Sequence, residues 1–162
     1  MRNNYRNAIK AILIILILLT LSFIFVQSML PREESGKESD AVGDIVAGIV
    51  PPETKPGAFL QINIRKVAHF VEFALLGAEA AVFVLLFKRR WIYVYLSVLA
   101  STLVPIIDET IQIYSGRGPS VIDVLIDTAG FLSAALIFYT VYLIIWYIRK
   151  NVNKNSQNQT VE

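Results

Sequence analysis

The stretch RKVAHFVEFALLGAEAAVFVLLF, residues 65–87, is an almost continuous apolar run that begins with Arg65, Lys66, His69 and Glu72. A helix needs about 20 apolar residues to cross roughly 30 Å of hydrocarbon, and only helices or closed barrels satisfy their backbone there. The run does not alternate as a barrel strand would, so it predicts a transmembrane helix. Ionisable groups are costly in lipid, and the four at its start therefore need partners.

The composition of the whole 162-residue chain agrees with a membrane protein. Hydrophobic residues make up 55% and charged residues 17%, against roughly 45–50% and about 25% in soluble domains. The net charge of +2 is too small to predict a nucleic-acid partner. The chain contains no cysteine, which excludes disulfides, thiolate metal sites and cysteine nucleophiles.

The apolar runs predict an all-α membrane protein with four transmembrane helices, at residues 9–30, 65–87, 91–114 and 121–148. The first run is longer than the apolar region of a signal peptide, which favours an uncleaved anchor. Gly77 with Ala81, and Gly130 with Ala134, would let the second and fourth spans approach closely. Ser120 is predicted to be the N-cap of the fourth span.

Lysine and arginine are concentrated in three segments, which are residues 1–8, 88–90 and 149–162. The positive-inside rule places all three segments in the cytoplasm, so both termini are expected inside. The loop at residues 31–64 and the turn at residues 115–120 are then outside. The polar C-terminal segment is predicted to be a disordered tail.

Residues 40–50, DAVGDIVAGIV, carry apolar side chains at helical spacing within the first outer loop. This pattern predicts a short amphipathic helix that lies on the outer membrane surface. Pro51 and Pro52 end it, because proline cannot continue a helix. A disordered tether is the alternative, since the two glycines of the segment weaken a helix.

Charged and amide side chains of three spans reach the same depth near the outer face. Arg65, His69 and Glu72 form one stripe of the second span, because they are three to four residues apart. Asp108 and Gln112 share a face of the third span by the same spacing. One outward-open polar cluster is therefore predicted between the spans, made of Arg65, Lys66, His69, Glu72, Asp108, Glu109, Gln112, Arg117, Asp123 and Asp127.

The charges of this predicted cluster do not balance. Five carboxylates face three fixed cations, with His69 as a potential fourth. Either one carboxyl stays protonated, because burial and like charges disfavour its ionised form, or the site receives a cation or a cationic group from outside.

A metal site has weaker support in the sequence. One histidine and no cysteine argue against zinc, since catalytic zinc usually takes three protein ligands rich in histidine. A hard cation on Asp108, Asp123 and Asp127 stays open. No metal ligand and no cofactor is assigned.

Two motifs in order, RKVAHFVEFALLG (residues 65–77) and DETIQIYSGRGPSVIDVLIDTAG (residues 108–130), resemble the VanZ-like family of small bacterial membrane proteins. Asp127 stands where that family often has asparagine, and Phe73 where tyrosine is usual. The resemblance covers residues 60–148. The family positions carried over are Lys66, His69, Phe70, Glu72, Asp108, Glu109, Gln112, Arg117, Asp123, Asp127 and Gly130.

The resemblance implies a role in the bacterial cell envelope, at the outer face of the cell membrane. The named member of the family is associated with low-level resistance to teicoplanin, a glycopeptide antibiotic with a lipid tail. The expected partners are therefore membrane lipids and either a lipid-linked envelope precursor or a lipid-tailed antibiotic.

Several functions stay open. The first is a factor without catalysis that binds or excludes such a molecule, with Arg65, Lys66 and Arg117 on phosphate or carboxylate heads and Gln112, Asp123 and Asp127 as further ligand-binding residues. The second is a membrane enzyme acting on an anionic lipid or precursor, with His69, Glu72, Asp108 and Glu109 as catalytic candidates. The third is a small ion-coupled transporter, which would be thin unless copies of the chain form an oligomer. A polar core that only locks helix packing is the simplest alternative.

Overall fold

The described part of the chain, residues 2–87, 90–118 and 120–159 of a computed structural model, is folded into five helices. They are α1 (Arg2–Met29), α2 (Arg32–Ile49), α3 (Lys55–Leu85), α4 (Arg90–Tyr114) and α5 (Val121–Gln159). Within these residues, every helix except α2 is long and apolar enough to cross a membrane. The prediction of an all-α membrane protein with four transmembrane helices is confirmed.

The core lies where α1, α3 and α5 meet. Ile24, Phe73 and Phe131 are almost fully buried there and pack against smaller residues of the same helices. Many large apolar side chains, such as Leu19 and Leu136, are exposed instead. A surface of this kind suits lipid, because lipid tails are as apolar as leucine.

The most extensive contact is between α3 and α5, and two glycines make it possible. A Cβ atom on Gly77 would collide with the backbone carbonyl of Phe131, and one on Gly130 with the carbonyl of Phe70. The two helices therefore touch backbone to backbone at two levels. This is the close approach that the small residues predict.

Helix α3 begins ten residues before the predicted span. The Thr54 hydroxyl accepts a hydrogen bond from the Gly57 N–H (3.1 Å), and a proline follows in the first turn. A threonine N-cap and an early proline both favour a helix start, so residues 55–64 of the predicted outer loop are helical. Their position relative to the membrane stays a prediction. The backbone leaves helical geometry at Asn63 (φ −115°, ψ 15°), which bends the helix just before the transmembrane part.

Helix α5 continues to Gln159 rather than ending at residue 148. Neither glycine nor proline occurs between Gly130 and that residue, so nothing in the local sequence ends the helix. The predicted disordered tail is therefore helical through residues 149–159, and residues 160–162 lie outside the described part.

The link predicted to be the first outer loop contains α2, which begins eight residues before the predicted segment 40–50 and directly follows Pro31. The Gln61 amide donates a hydrogen bond to the Gly43 carbonyl (2.7 Å), so α2 is attached to the outer part of α3. The position of α2 on the membrane surface stays a prediction.

The orientation with both termini inside also stays a prediction. In the predicted cytoplasmic link at residues 88–90, Lys88 and Arg89 lie outside the described residues. The same holds for Met1 and for Pro119 of the outer turn.

Replacement of Gly77 by alanine is expected to destabilise the bundle. The added methyl group meets backbone of α5, and overpacking of this kind costs about 1–3 kcal/mol. The measurement is the midpoint of SDS-induced unfolding, followed by circular dichroism. Gly48→Ala is the matched control, because a Cβ there has no atom within 4 Å. Equal midpoints for the two variants would contradict the close approach of α3 and α5.

Candidate functional site

Three helices bring one ionisable side chain each to a single buried point. His69 of α3 places its Nδ1 atom 3.7 Å from Asp127 Oδ1 of α5 and 4.0 Å from Asp108 Oδ2 of α4. The two aspartates are 1% and 0% exposed. We call these three residues the His–Asp–Asp cluster. Each offers one potential ligand atom, and the three atoms lie within 4.8 Å of one another.

Asp108 is the best-connected member of the cluster. The Ser28 hydroxyl of α1 donates a hydrogen bond to its Oδ1, and the Gln112 amide donates to its Oδ2 (2.7 Å). The side-chain carbonyl oxygen of Gln112 in turn accepts a hydrogen bond from the Arg65 guanidinium (2.8 Å). Both oxygens of the carboxylate are therefore satisfied, and its orientation is set by α1 and by its own helix.

The other two members are less well satisfied. His69 Nδ1 and Asp127 Oδ1 are buried and find no hydrogen-bond partner among the described residues. Their separation of 3.7 Å is too long for a hydrogen bond between them. Buried polar atoms are nearly always bonded, so the cluster has unused capacity for a ligand.

The turn between α4 and α5, which is predicted to be outer, is attached to the end of α1. The Arg117 guanidinium donates hydrogen bonds to the carbonyls of Gln27 (3.0 Å) and Leu30 (2.8 Å). Burial first, and Arg65 second, lower the pKa of Arg117, although arginine remains charged in proteins. A cation on the last carbonyls of a helix is a favourable arrangement.

Glu109 and Ser120 organise the start of α5. The Glu109 carboxylate accepts a hydrogen bond from the Ser120 backbone N–H. The Ser120 hydroxyl accepts from the Asp123 N–H (3.2 Å), which confirms the predicted N-cap. Glu109 thus contacts the turn, on the outer side of the His–Asp–Asp cluster.

Two cavities adjoin the cluster, and His69 lines both of them. The first, which we call the α2 cavity, lies beneath α2 and is lined by Glu38, Arg65 and Glu72 among others. The second, which we call the α3–α5 groove, runs between those helices. Its polar end is lined by Arg65, Lys66, His69, Asp123 and Asp127, and its apolar end by Phe59, Val67, Phe70 and Ile126.

The ten predicted site residues therefore divide into four groups rather than one. Arg65, His69, Asp108, Gln112 and Asp127 meet in the buried network. Lys66 and Asp123 face the α3–α5 groove, and Glu72 faces the α2 cavity. Glu109 and Arg117 hold the outer turn. The division follows from helix geometry, because adjacent residues such as Arg65 and Lys66 point about 100° apart.

Two polar residues of the bundle were missed by the sequence analysis. Ser28 lies at the end of an apolar run, and a helical serine usually bonds its own helix, so no pattern pointed to Asp108. Glu79 was detectable, since a carboxylate inside an apolar run is a functional candidate by itself. Its carboxylate accepts a hydrogen bond from the Thr20 hydroxyl (3.0 Å), about two turns further into the bundle than Glu72.

The fold and this polar network define a small multi-pass membrane protein with a buried site shared by its helices. Residues 12–147, most of the chain, match the VanZ/LLP1 family. The chain belongs to this family. No curated protein and no solved structure matched it.

The family match is longer than the predicted domain at residues 60–148. It includes residues 12–29 of α1, about two thirds of that helix, and the whole of α2. The structure gives a physical reason, because α1 supplies the Ser28 hydroxyl to Asp108 and the carbonyls that hold Arg117.

Removal of the Ser28 hydroxyl is expected to lower stability. Ser28→Ala leaves Asp108 Oδ1 without this donor, and an unsatisfied buried acceptor costs about 1–3 kcal/mol. Ser101→Ala is the matched control, because both serines are 1% exposed and lie within bonding distance of a carbonyl of their own helix, whereas only the Ser28 hydroxyl also reaches a carboxylate among the described residues. The free energy of unfolding in detergent measures both variants. If Ser101→Ala lowers the free energy of unfolding by as much as Ser28→Ala, the hydrogen bond between Ser28 and Asp108 makes no additional contribution to stability.

Proposed function

We propose that this protein is a cell-envelope factor that binds the anionic head of a lipid-linked or lipid-tailed molecule at the outer leaflet of the cell membrane. In this proposal the protein binds or excludes such a molecule and catalyses no reaction. The α3–α5 groove is the binding surface, with the polar end for the head and the apolar end for the chain.

The position of Lys66 is the observation that carries this proposal. Lys66 is exposed and lines both the polar and the apolar end of the groove. An amphiphile whose chain lies along Phe59, Val67 and Phe70 therefore has its head beside an ammonium group. The four-carbon stem of Lys66 can lie on the apolar surface while its ammonium group reaches the head.

Arg65 supports Lys66 from the inner side. It lines the α2 cavity as well as the groove, and one of its five N–H donors is used on Gln112. The remaining donors can bind a phosphate or carboxylate in the forked geometry that arginine favours. Two adjacent cations at the mouth of an apolar groove thus match a lipid with a negative head.

The size of the cavities limits what the ligand can insert. The α2 cavity has a volume of about 90 Å³ and the polar end of the groove a volume of about 190 Å³, both below the roughly 300–1,000 Å³ of sites that enclose a whole small molecule. This suits a lipid head or a tail rather than a whole glycopeptide. Low-level teicoplanin resistance, which the family resemblance implies, would then act through the lipid part of the antibiotic or through a competing envelope lipid.

A membrane-embedded enzyme on the same lipid is the second candidate, and the surroundings of His69 favour it. The imidazole lies between two buried carboxylates, which can orient it as a general base. The lipid pool of cells expressing the chain separates the candidates. A changed pool of envelope lipids points to catalysis, and an unchanged pool points to binding.

Replacement of Lys66 by glutamine is expected to weaken lipid binding about tenfold or more, since a hydrogen bond to a charged group contributes about 1.5–3 kcal/mol. The affinity of the purified chain for a polyprenyl phosphate is measured by native mass spectrometry. Lys55→Gln is the matched control on the same helix, because Lys55 lines neither the groove nor the α2 cavity. Equal affinity of the two variants rejects the groove as the binding surface.

The same two variants also test the proposal in cells. In a susceptible bacterium, the wild-type chain and Lys55→Gln are expected to lower teicoplanin sensitivity, whereas Lys66→Gln at equal protein level does not. Vancomycin, which lacks the lipid tail, is the comparison drug. Protection that survives in Lys66→Gln contradicts the proposed role.

The outward orientation of the site can be tested with single cysteines, because the natural chain has none. A cysteine at Gly118, which is exposed with open space around its Cβ position, should react in intact cells with a membrane-impermeant maleimide. A cysteine at Asn151 should react only after permeabilisation. The reverse pattern would place the site on the cytoplasmic side.

A further inference from the structure

We infer that His69, Asp108 and Asp127 bind one divalent transition-metal cation at the point where α3, α4 and α5 meet. The inference stands apart from the proposed lipid binding, because it depends only on these three residues and their neighbours. The sequence assigned no metal ligand, but it left a negative charge without a partner.

The unsatisfied atoms of the cluster are the first argument. Asp127 is only 1% exposed, and its Oδ1 has no hydrogen-bond partner among the described residues. His69 Nδ1 lies 3.7 Å away and is unpartnered in the same part of the chain. One cation between the two atoms would satisfy both.

The nearby fixed cations do not neutralise the two aspartates. Arg65 contacts Gln112, and Arg117 contacts the carbonyls at the end of α1. Among the described residues, His69 is the only basic side chain within ion-pair distance of Asp108 or Asp127. Two buried carboxylates without a paired cation are costly, and a divalent ion offsets this cost.

The distances are compatible with a shared ion. Ligand atoms bound at about 2.0–2.4 Å with tetrahedral angles lie roughly 3.3–3.9 Å apart. The observed separations from His69 Nδ1 are 3.7 Å and 4.0 Å, and all three ligand atoms lie within 4.8 Å of one another, so side-chain shifts of about 1 Å complete the site. The ligands come from three helices, which is why the sequence spacing does not reveal them.

The surroundings of Asp108 resemble those of a metal-binding carboxylate. Ser28 and Gln112 donate to its two oxygens, and Arg65 donates to Gln112 behind them. Metal ligands are commonly oriented by such hydrogen bonds. The polar end of the α3–α5 groove, which His69 and Asp127 line, connects the site to the surface.

The ligand set selects the class of metal. Mg²⁺ and Ca²⁺ prefer oxygen ligands throughout, whereas imidazole suits the first-row transition metals and zinc. One imidazole and two carboxylates therefore favour Mn²⁺ or Fe²⁺, whereas a single histidine disfavours zinc. Mn²⁺ is the useful probe, because it accepts carboxylates and its paramagnetism reports a bound nitrogen.

The full chain, purified in detergent with a tag free of histidine and stripped with a chelator, is titrated with Mn²⁺. The expected result is one Mn²⁺ per chain and a ¹⁴N modulation in its electron spin echo. His69 is the only histidine of the chain, so labelling with ¹⁵N-histidine should convert the modulation to ¹⁵N without any mutation. A wild-type chain that binds no Mn²⁺, or bound Mn²⁺ without a histidine signal, overturns the inference.

Two asparagine variants test the position of the ion between the helices. Asp127→Asn is expected to weaken Mn²⁺ binding at least tenfold, whereas Asp123→Asn, one turn away on the same helix, changes it less than twofold. Circular dichroism of the metal-free variants verifies their folding, and the isotope experiment decides if Asp127→Asn does not fold. Equal loss of affinity in both variants, or loss in Asp123→Asn alone, would contradict the site.

Discussion

A buried carboxylate in a membrane bundle must be surrounded by donors, and the arrangement around Asp108 is the constraint on which the predicted outer half of this protein depends. Asp108 is fully buried and accepts hydrogen bonds from Ser28 of α1 and Gln112 of α4. Arg65 of α3 reaches the same carboxylate through Gln112. Three spans are thus joined by one acidic group, in a medium where leaving it unbonded would be costly.

The close contact between α3 and α5 brings α5 to this arrangement. Gly77 and Gly130 allow α3 and α5 to touch backbone to backbone. Gly130 lies against Phe70, the neighbour of His69, and one turn below Asp127. This close approach sets His69 and Asp127 side by side. Arg117 then fastens the outer turn to α1, which closes the bundle above the cluster.

The sequence predicted the spans well, because the length of an apolar run and the cost of charge in lipid are properties of each helix alone. It also predicted that His69, Asp108 and Asp127 share a depth, since helical rise is constant. It could not predict which of ten polar residues meet, because that depends on the rotation of each helix about its axis. Ser28 shows the limit most clearly, as no pattern in α1 relates it to a carboxylate 80 residues later.

The same physical logic connects the site to function. The proposed binding of anionic amphiphiles needs cations at an apolar mouth and a rigid support beside them, and Lys66 lines the same groove as His69 and Asp127. The account therefore depends most on the coupling between Ser28 and Asp108. A double-mutant cycle of Ser28→Ala and Asp108→Asn, read as the free energy of unfolding in detergent, tests it directly. We expect a coupling energy of about 1–3 kcal/mol, whereas effects that add within about 0.5 kcal/mol would contradict the account.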